Sequence, residues 1–99
     1  MATNRMRPVH PGEILREEYL AELGMSVNAL AKALKVPTPR INDVVRGRRG
    51  VSADTALRLA RYLGTSPEFW LNLQATHDLR VAEASSGKRI AREVRPKAT

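Results

Sequence analysis

The dipeptide Val36-Pro37 divides residues 26–49, SVNALAKALKVPTPRINDVVRGRR, into two short helical patterns joined by a tight turn. A residue that precedes proline avoids the helical region, so the chain must run extended there, and Lys35 stands where the first helix has to stop. Before the break, Val27, Leu30, Ala31 and Leu34 recur on one face at helical period; after it, Ile41, Val44 and Val45 do the same. Each helix therefore has one side to bury. Thr38 is placed as an N-cap with Pro39 at the first helical position, which turns Pro39, Arg40, Asn42, Asp43 and Arg46 outward. The helix after the break, the third of the chain, is predicted from about Thr38 to Arg46, closed by Gly47.

The same punctuation organises the rest of the chain. A helix is predicted to begin at Pro11-Gly12-Glu13 and to end at Gly24, with Leu15, Tyr19 and Leu23 on one face. Ser26 caps the next. After the loop Gly47-Arg48-Arg49-Gly50, Ser52 caps a fourth helix whose core stripe is Ala56, Leu59, Ala60 and Leu63 and whose stop is Gly64; Asp54 in its first turn suits the helix dipole. Ser66-Pro67-Glu68 starts a fifth, predicted to reach about Ala84. Residues 1–10 read as a flexible arm carrying Arg5 and Arg7, residues 11–84 as one domain, and residues 85–99 as a basic, disordered tail. Strand signals are nearly absent, so the expected fold is all-α, a compact five-helix bundle.

Bulk properties narrow the function. Ninety-nine residues suit one domain with a single modest core. No cysteine is present, which removes disulfides and thiolate metal sites and fits a reducing cytoplasm; His10 and His77, far apart in sequence, are a poor basis for zinc. No apolar run approaches the roughly 20 residues that span a bilayer, and MATNRMRPVH lacks the apolar run of a signal peptide. A soluble, cytoplasmic protein is expected. The formal charge is +7, and its distribution is uneven. Lys35, Arg40, Arg46, Arg48 and Arg49 face Asp43 alone between positions 35 and 49, whereas Glu13, Glu17, Glu18 and Glu22 crowd the first helix beside Arg16. One face suits phosphate and another suits something basic.

The outward face of the third helix has the polarity and length to enter a DNA major groove. Arg40 and Arg46 can address guanine O6/N7 or clamp phosphates, and Asn42 can pair with adenine N6/N7. Arg46, Arg48 and Arg49 follow the helix where phosphate contacts fix register. Ser26 and Asn28 sit at the N-terminus of the second helix, whose free N–H groups suit a phosphate. A solvated charged face is the plainer reading of the arginines, and capping alone explains Ser26. Ile41, Val44 and Val45 are core.

In the fifth helix, Phe69, Trp70, Leu73 and Val81 share a side expected to seal the core, while Leu71, Ala75, Leu79 and Ala82 lie nearly opposite. A helix apolar on two sides calls for a second partner, and the simplest is another copy of the chain, so those four residues are the expected dimer interface. A merely small, partly exposed second face is the competing account. His77 reads as a packing histidine and His10 as the lead-in to the first helix. No acid, base and nucleophile set can be assembled, and no catalytic, cofactor or metal site is expected.

These residues match a family. Pro8-Val9-His10-Pro11-Gly12-Glu13-Ile14-Leu15, Leu30-Ala31, Arg40-Ile41-Asn42 with Gly47-Arg48-Arg49, and Thr55-Ala56-Leu57-Arg58-Leu59-Ala60 leading to Ser66-Pro67-Glu68-Phe69-Trp70-Leu71-Asn72-Leu73-Gln74 resemble the HigA-type antitoxins, also called the virulence-associated protein I group, within the lambda-repressor-like helix-turn-helix class. The resemblance covers roughly residues 6–83. It implies a type II antitoxin that represses its own operon by binding a palindromic operator in double-stranded DNA as a homodimer, and that neutralises a HigB-like, mRNA-cleaving toxin. It also implies groove-facing positions at Thr38, Pro39, Arg40, Asn42 and Arg46. Lys35 departs from the glycine usual in this turn, and a left-handed backbone there has to accept a side chain. Two rival expectations remain: a stand-alone helix-turn-helix regulator without a toxin, and a protein-binding inhibitor that no longer reads DNA.

Overall fold

The computed structural model describes residues 7–98, and among them the backbone forms five helices and no strand. Helix α1 spans residues 11–23, α2 is Val27–Leu34, α3 is Thr38–Val45, α4 is Ala53–Leu63 and α5 is Pro67–Glu93. Among the described residues no helix is long and apolar enough to cross a membrane. The all-α, five-helix expectation holds. The expected arm at residues 1–6, with Arg5, lies outside the described residues. Arg7 is engaged, its guanidinium donating to both carboxylate oxygens of Glu13 at 2.8 and 3.1 Å.

Helix α1 begins on His10, whose Nδ1 accepts the Gly12 amide at 2.9 Å. Its centre is not α-helical. Residues Leu15–Leu20 form a π-helical segment between the α-helical turns Pro11–Ile14 and Ala21–Leu23, and the Ala21 amide donates back to Arg16 O, five residues earlier. The wider turn advances the buried face by five residues, from Leu15 to Leu20, instead of by four. This corrects the expected stripe of Leu15, Tyr19 and Leu23: Leu20 takes a core place and Leu23 swings out to 56% exposure. Tyr19 stays half-buried with its ring 5.4 Å from that of Trp70.

Local capping fixes the other starts and stops. Ser26, Ser52 and Ser66 each accept the amide three residues on, at 3.0, 3.2 and 3.0 Å. Lys35 closes α2 in the left-handed region at φ 62°, its amide bonding Lys32 O while the Val36 amide bonds Ala31 O. That is the paired bonding normally built on glycine.

Trp70 is fully buried, with Nε1 donating to Thr65 Oγ1 at 2.7 Å. Around it gather Leu15, Leu20, Leu30, Ala31, Leu34, Ile41, Val44, Val45, Val51, Ala56 and Leu59. Of the residues expected to seal the core with Trp70, Leu73 is half-buried but Phe69 and Val81 are 37% and 44% exposed. Phe69 instead meets Trp70 edge to face at 5.0 Å.

Helix α5 continues to Glu93 instead of ending near Ala84. The charged, apolar-poor sequence beyond Ser85 suggests a disordered tail, but Lys88–Glu93 are mostly good helix formers, and Arg89 donates to Ser86 Oγ at 3.3 Å and lies 3.9 Å from the Glu93 carboxylate. Helix formation lapses at Val94, shortly before Pro96. A helix of this length runs about 40 Å, which explains the elongated 52 × 28 × 22 Å envelope.

Candidate nucleic-acid interface

Helix α3 has eight residues, too few for independent stability in water. The fold holds it at every turn. Its inner face buries Ile41, Val44 and Val45 against α2 and the core. At its start Thr38 Oγ1 donates to Asn28 Oδ1 at 2.7 Å, linking the first turns of α2 and α3. At its end Arg16 of α1 reaches Val45 O at 3.5 Å. Gly12 packs so closely there that a Cβ on it would lie 1.8 Å from Val44 O. The result is a short cylinder with a fixed outer face.

The helix begins one residue earlier than expected. Pro37, not Thr38, is the N-cap, with extended backbone at ψ 143°, and Thr38 and Pro39 occupy the first two helical positions. Thr38 makes no cap bond because its hydroxyl is used on Asn28.

None of the nine expected interface residues is buried. Ser26, Asn28, Pro39, Arg46, Arg48 and Arg49 are exposed, and Thr38, Arg40 and Asn42 are intermediate. Arg40 is nonetheless engaged: its Nη1 donates to Asp54 Oδ2 at 2.8 Å, and the same oxygen accepts Arg58 Nε at 2.9 Å. Arg58 Nη1 in turn donates to Leu34 O, at the last residue of α2, at 2.9 Å. The Arg58 and Arg40 guanidinium groups, in that order of effect, hold the Asp54 carboxyl below its ordinary range.

The loop after α3 is equally braced. Asp43 O accepts the amides of both Arg48 and Arg49, at 2.8 and 3.2 Å, and the Asp43 carboxylate lies 3.4 Å from Arg48 Nη2. Gly47 turns the chain at φ 75°. Behind the loop, the Val51 amide donates to Gln74 Oε1 of α5 at 2.7 Å. The His10 ring meets His77 edge to face at 4.9 Å. Burial first, then the neighbouring His77, lowers the His10 pKa, consistent with an unprotonated Nδ1 accepting the Gly12 amide.

The arrangement is a grid of cations, Arg40, Arg46, Arg48 and Arg49, on a rigid edge formed by α3, its following loop and the starts of α2 and α4. Sequence reasoning missed Asp54, Arg58 and Gln74 as parts of it. Asp54 was expected only to favour the α4 dipole, and its partner Arg40 lies 14 residues away, beyond any local periodicity. The expected dimer residues Leu71, Ala75, Leu79 and Ala82 are all exposed on α5.

Two short helices packed through a left-handed turn, with the second presenting a polar outer face, define a helix-turn-helix protein of the lambda-repressor-like class. The Helix-turn-helix family model matches residues 15–70. Virulence-associated protein I of Dichelobacter nodosus is 59% identical over 80 residues, covering 81% of this chain and 74% of that protein. The structure of Pseudomonas aeruginosa antitoxin HigA with the higBA promoter superposes with a TM-score of 0.90 at 54% identity, covering 93% of this chain and all of that one. Antitoxin GraA in complex with its operator gives 0.89 at 56% identity, over 95% of each chain. The chain belongs to the HigA antitoxin family, together with virulence-associated protein I.

Proposed function

We propose that the chain is the antitoxin and autorepressor of a type II toxin–antitoxin pair: as a homodimer it binds a palindromic operator in double-stranded DNA, and it neutralises a HigB-like toxin that cleaves mRNA. The observation that carries the DNA reading is the outer edge of α3, where Arg40, Asn42 and Arg46 stand unburied on a helix braced from both ends. In this reading Arg40 and Asn42 address base edges from the major groove, beside Thr38 and Pro39. Arg46, Arg48, Arg49, Ser26 and Asn28 hold phosphates and set register. Two relatives more than half identical were solved with their promoter or operator, which supports the same use of this edge.

The toxin half rests on family membership. The four exposed apolar or small residues of α5 join two copies, and a dimer places its two α3 helices in successive major grooves about 34 Å apart. The protein acts in the cytoplasm by binding alone, without a catalytic step.

A gel shift with the DNA upstream of the protein's own gene, at about 0.15 M salt, tests the first half, and co-purification with the product of the adjacent gene tests the second. Preference for the upstream DNA over unrelated DNA and a stable complex with a small RNase are expected. Equal affinity for both DNAs overturns the operator reading, and failure to capture a neighbouring product overturns the antitoxin reading in favour of a stand-alone regulator.

A further inference from the structure

Asp54 puts a carboxylate where a phosphate-facing surface has least use for one. Its side chain is 56% exposed, in the first turn of α4, beside the outer edge of α3. One oxygen, Oδ2, is shared by two guanidinium groups, Arg40 at 2.8 Å and Arg58 at 2.9 Å. The second of these is fixed to backbone, at Leu34 O. The chain of bonds thus runs from the outer face of α3 through α4 to the end of α2, and Arg40 is its free end.

We propose that Asp54 is a positioning residue that sets the base specificity of Arg40. The inference rests on the assignment of Arg40 as a base reader. With Nη1 held by Asp54, the Nε and Nη2 donors of Arg40 are left to form a forked pair with the O6 and N7 acceptors of a single guanine. An untethered arginine has many rotamers and donates equally well to phosphate oxygens, which carry no sequence information. The Asp54 charge also repels phosphate from the position it occupies, so the Arg40 guanidinium is steered to a base edge. Arg58 keeps the carboxylate in place through its own bond to α2. Asp54 therefore costs general affinity for DNA and contributes discrimination.

The test compares the wild-type protein with Asp54→Asn, Asp54→Glu, Arg58→Ala and Arg40→Ala. Each is titrated with its operator, with every single base-pair variant of one half-site and with unrelated duplex across a salt series; urea midpoints are recorded alongside. Asp54→Asn is expected to lose about tenfold of discrimination at the one base pair that Arg40→Ala also relaxes. It should keep the wild-type preference elsewhere and bind unrelated duplex more tightly. Arg58→Ala should relax the same base pair less, and Asp54→Glu should restore part of the preference. If Arg40→Ala relaxes a base pair and Asp54→Asn does not, the proposal is overturned while the reading of Arg40 stands. A uniform loss of affinity by Asp54→Asn with a lower urea midpoint also overturns it, leaving Asp54 a purely structural role. If Arg40→Ala changes no base preference, the assignment of Arg40 falls first and the role of Asp54 with it.

Discussion

Gln74 Oε1 accepts the Val51 amide at 2.7 Å, joining the loop behind Arg48 and Arg49 to the first third of α5 across 23 positions of sequence. The same side chain donates from Nε2 to Asp78 Oδ1 at 2.9 Å, so the amide is held in one orientation. Replacing Gln74 by Ala strands the amide of a buried residue, which costs about 1–3 kcal/mol. A lower urea midpoint and a severalfold, sequence-independent loss of DNA affinity are expected. Gln74→Glu retains the acceptor for Val51 but sets a second carboxylate oxygen against Asp78 Oδ1, so it should recover only part of the stability.

Arg40 and Arg48 should differ in kind. Arg40→Ala is expected to cost about 1–3 kcal/mol on the operator and to relax one base position, whereas Arg48→Ala should weaken every duplex alike and reduce the salt slope by about one. Arg48 is also paired with Asp43 at 3.4 Å, so its loss frees a carboxylate beside the phosphates and adds to the general weakening. Titrations on operator and scrambled DNA at several salt concentrations separate the two effects.

Lys35 holds a backbone conformation, φ 62° and ψ 44°, that side chains other than glycine adopt at a cost. Lys35→Gly removes that strain but gives the unfolded chain more freedom, and the balance should stabilise the protein by about 0.5–1 kcal/mol. Thermal or urea unfolding reads it directly. An unchanged or lower midpoint would mean that the lysine stem offsets its own strain.

The stability of the fold should fall as the solution is acidified through the range of histidine. Burial, followed by the nearby His77, depresses the His10 pKa below its ordinary 6.5. The unfolded chain therefore takes up the proton first. His10 contributes its full stability above about pH 6.5 and loses it progressively as pH falls toward the lower folded value. Protonation removes the Nδ1 acceptor for the Gly12 amide. Urea midpoints between pH 5 and 8 should show this slope, and His10→Asn, which keeps an acceptor at the N-cap without titrating there, should flatten it.

Leu79 is 59% exposed on α5, so Leu79→Glu should leave the helical content of the chain intact. If the outer face of α5 joins two copies, the same substitution should convert dimer to monomer in light scattering at micromolar protein and weaken binding to the full palindrome far more than to a half-site.

The elements legible in the sequence are those whose causes are local. Ser26, Ser52 and Ser66 announce their helices because a hydroxyl caps an amide only three residues away, and Gly24 and Gly64 announce their stops because the required backbone conformation favours glycine. Lys35 lacks that residue signal, yet Val36-Pro37 forces the same boundary. Leu23 was misplaced because a π turn changes the period itself, and a strictly α-helical count cannot anticipate that. The end of α5 is not legible because the residues after Ser85 are charged and short of large apolar side chains, a composition that suits a solvated helix as well as a disordered tail. At the interface, the arginines and Asn42 are visible as a polar face. The bonds that fix them, Arg40 to Asp54 and Val51 to Gln74, depend on how whole helices pack.

The one indole of the chain belongs to Trp70, which has no accessible surface and is enclosed by Tyr19, Phe69 and the aliphatic core. Its emission is therefore a private gauge of core integrity. Because nothing docked on the outside can touch the ring, a ligand should leave its colour nearly unchanged, while opening of the bundle should shift it to the red. Folding and recognition can thus be followed in the same cuvette through separate signals, without an added label.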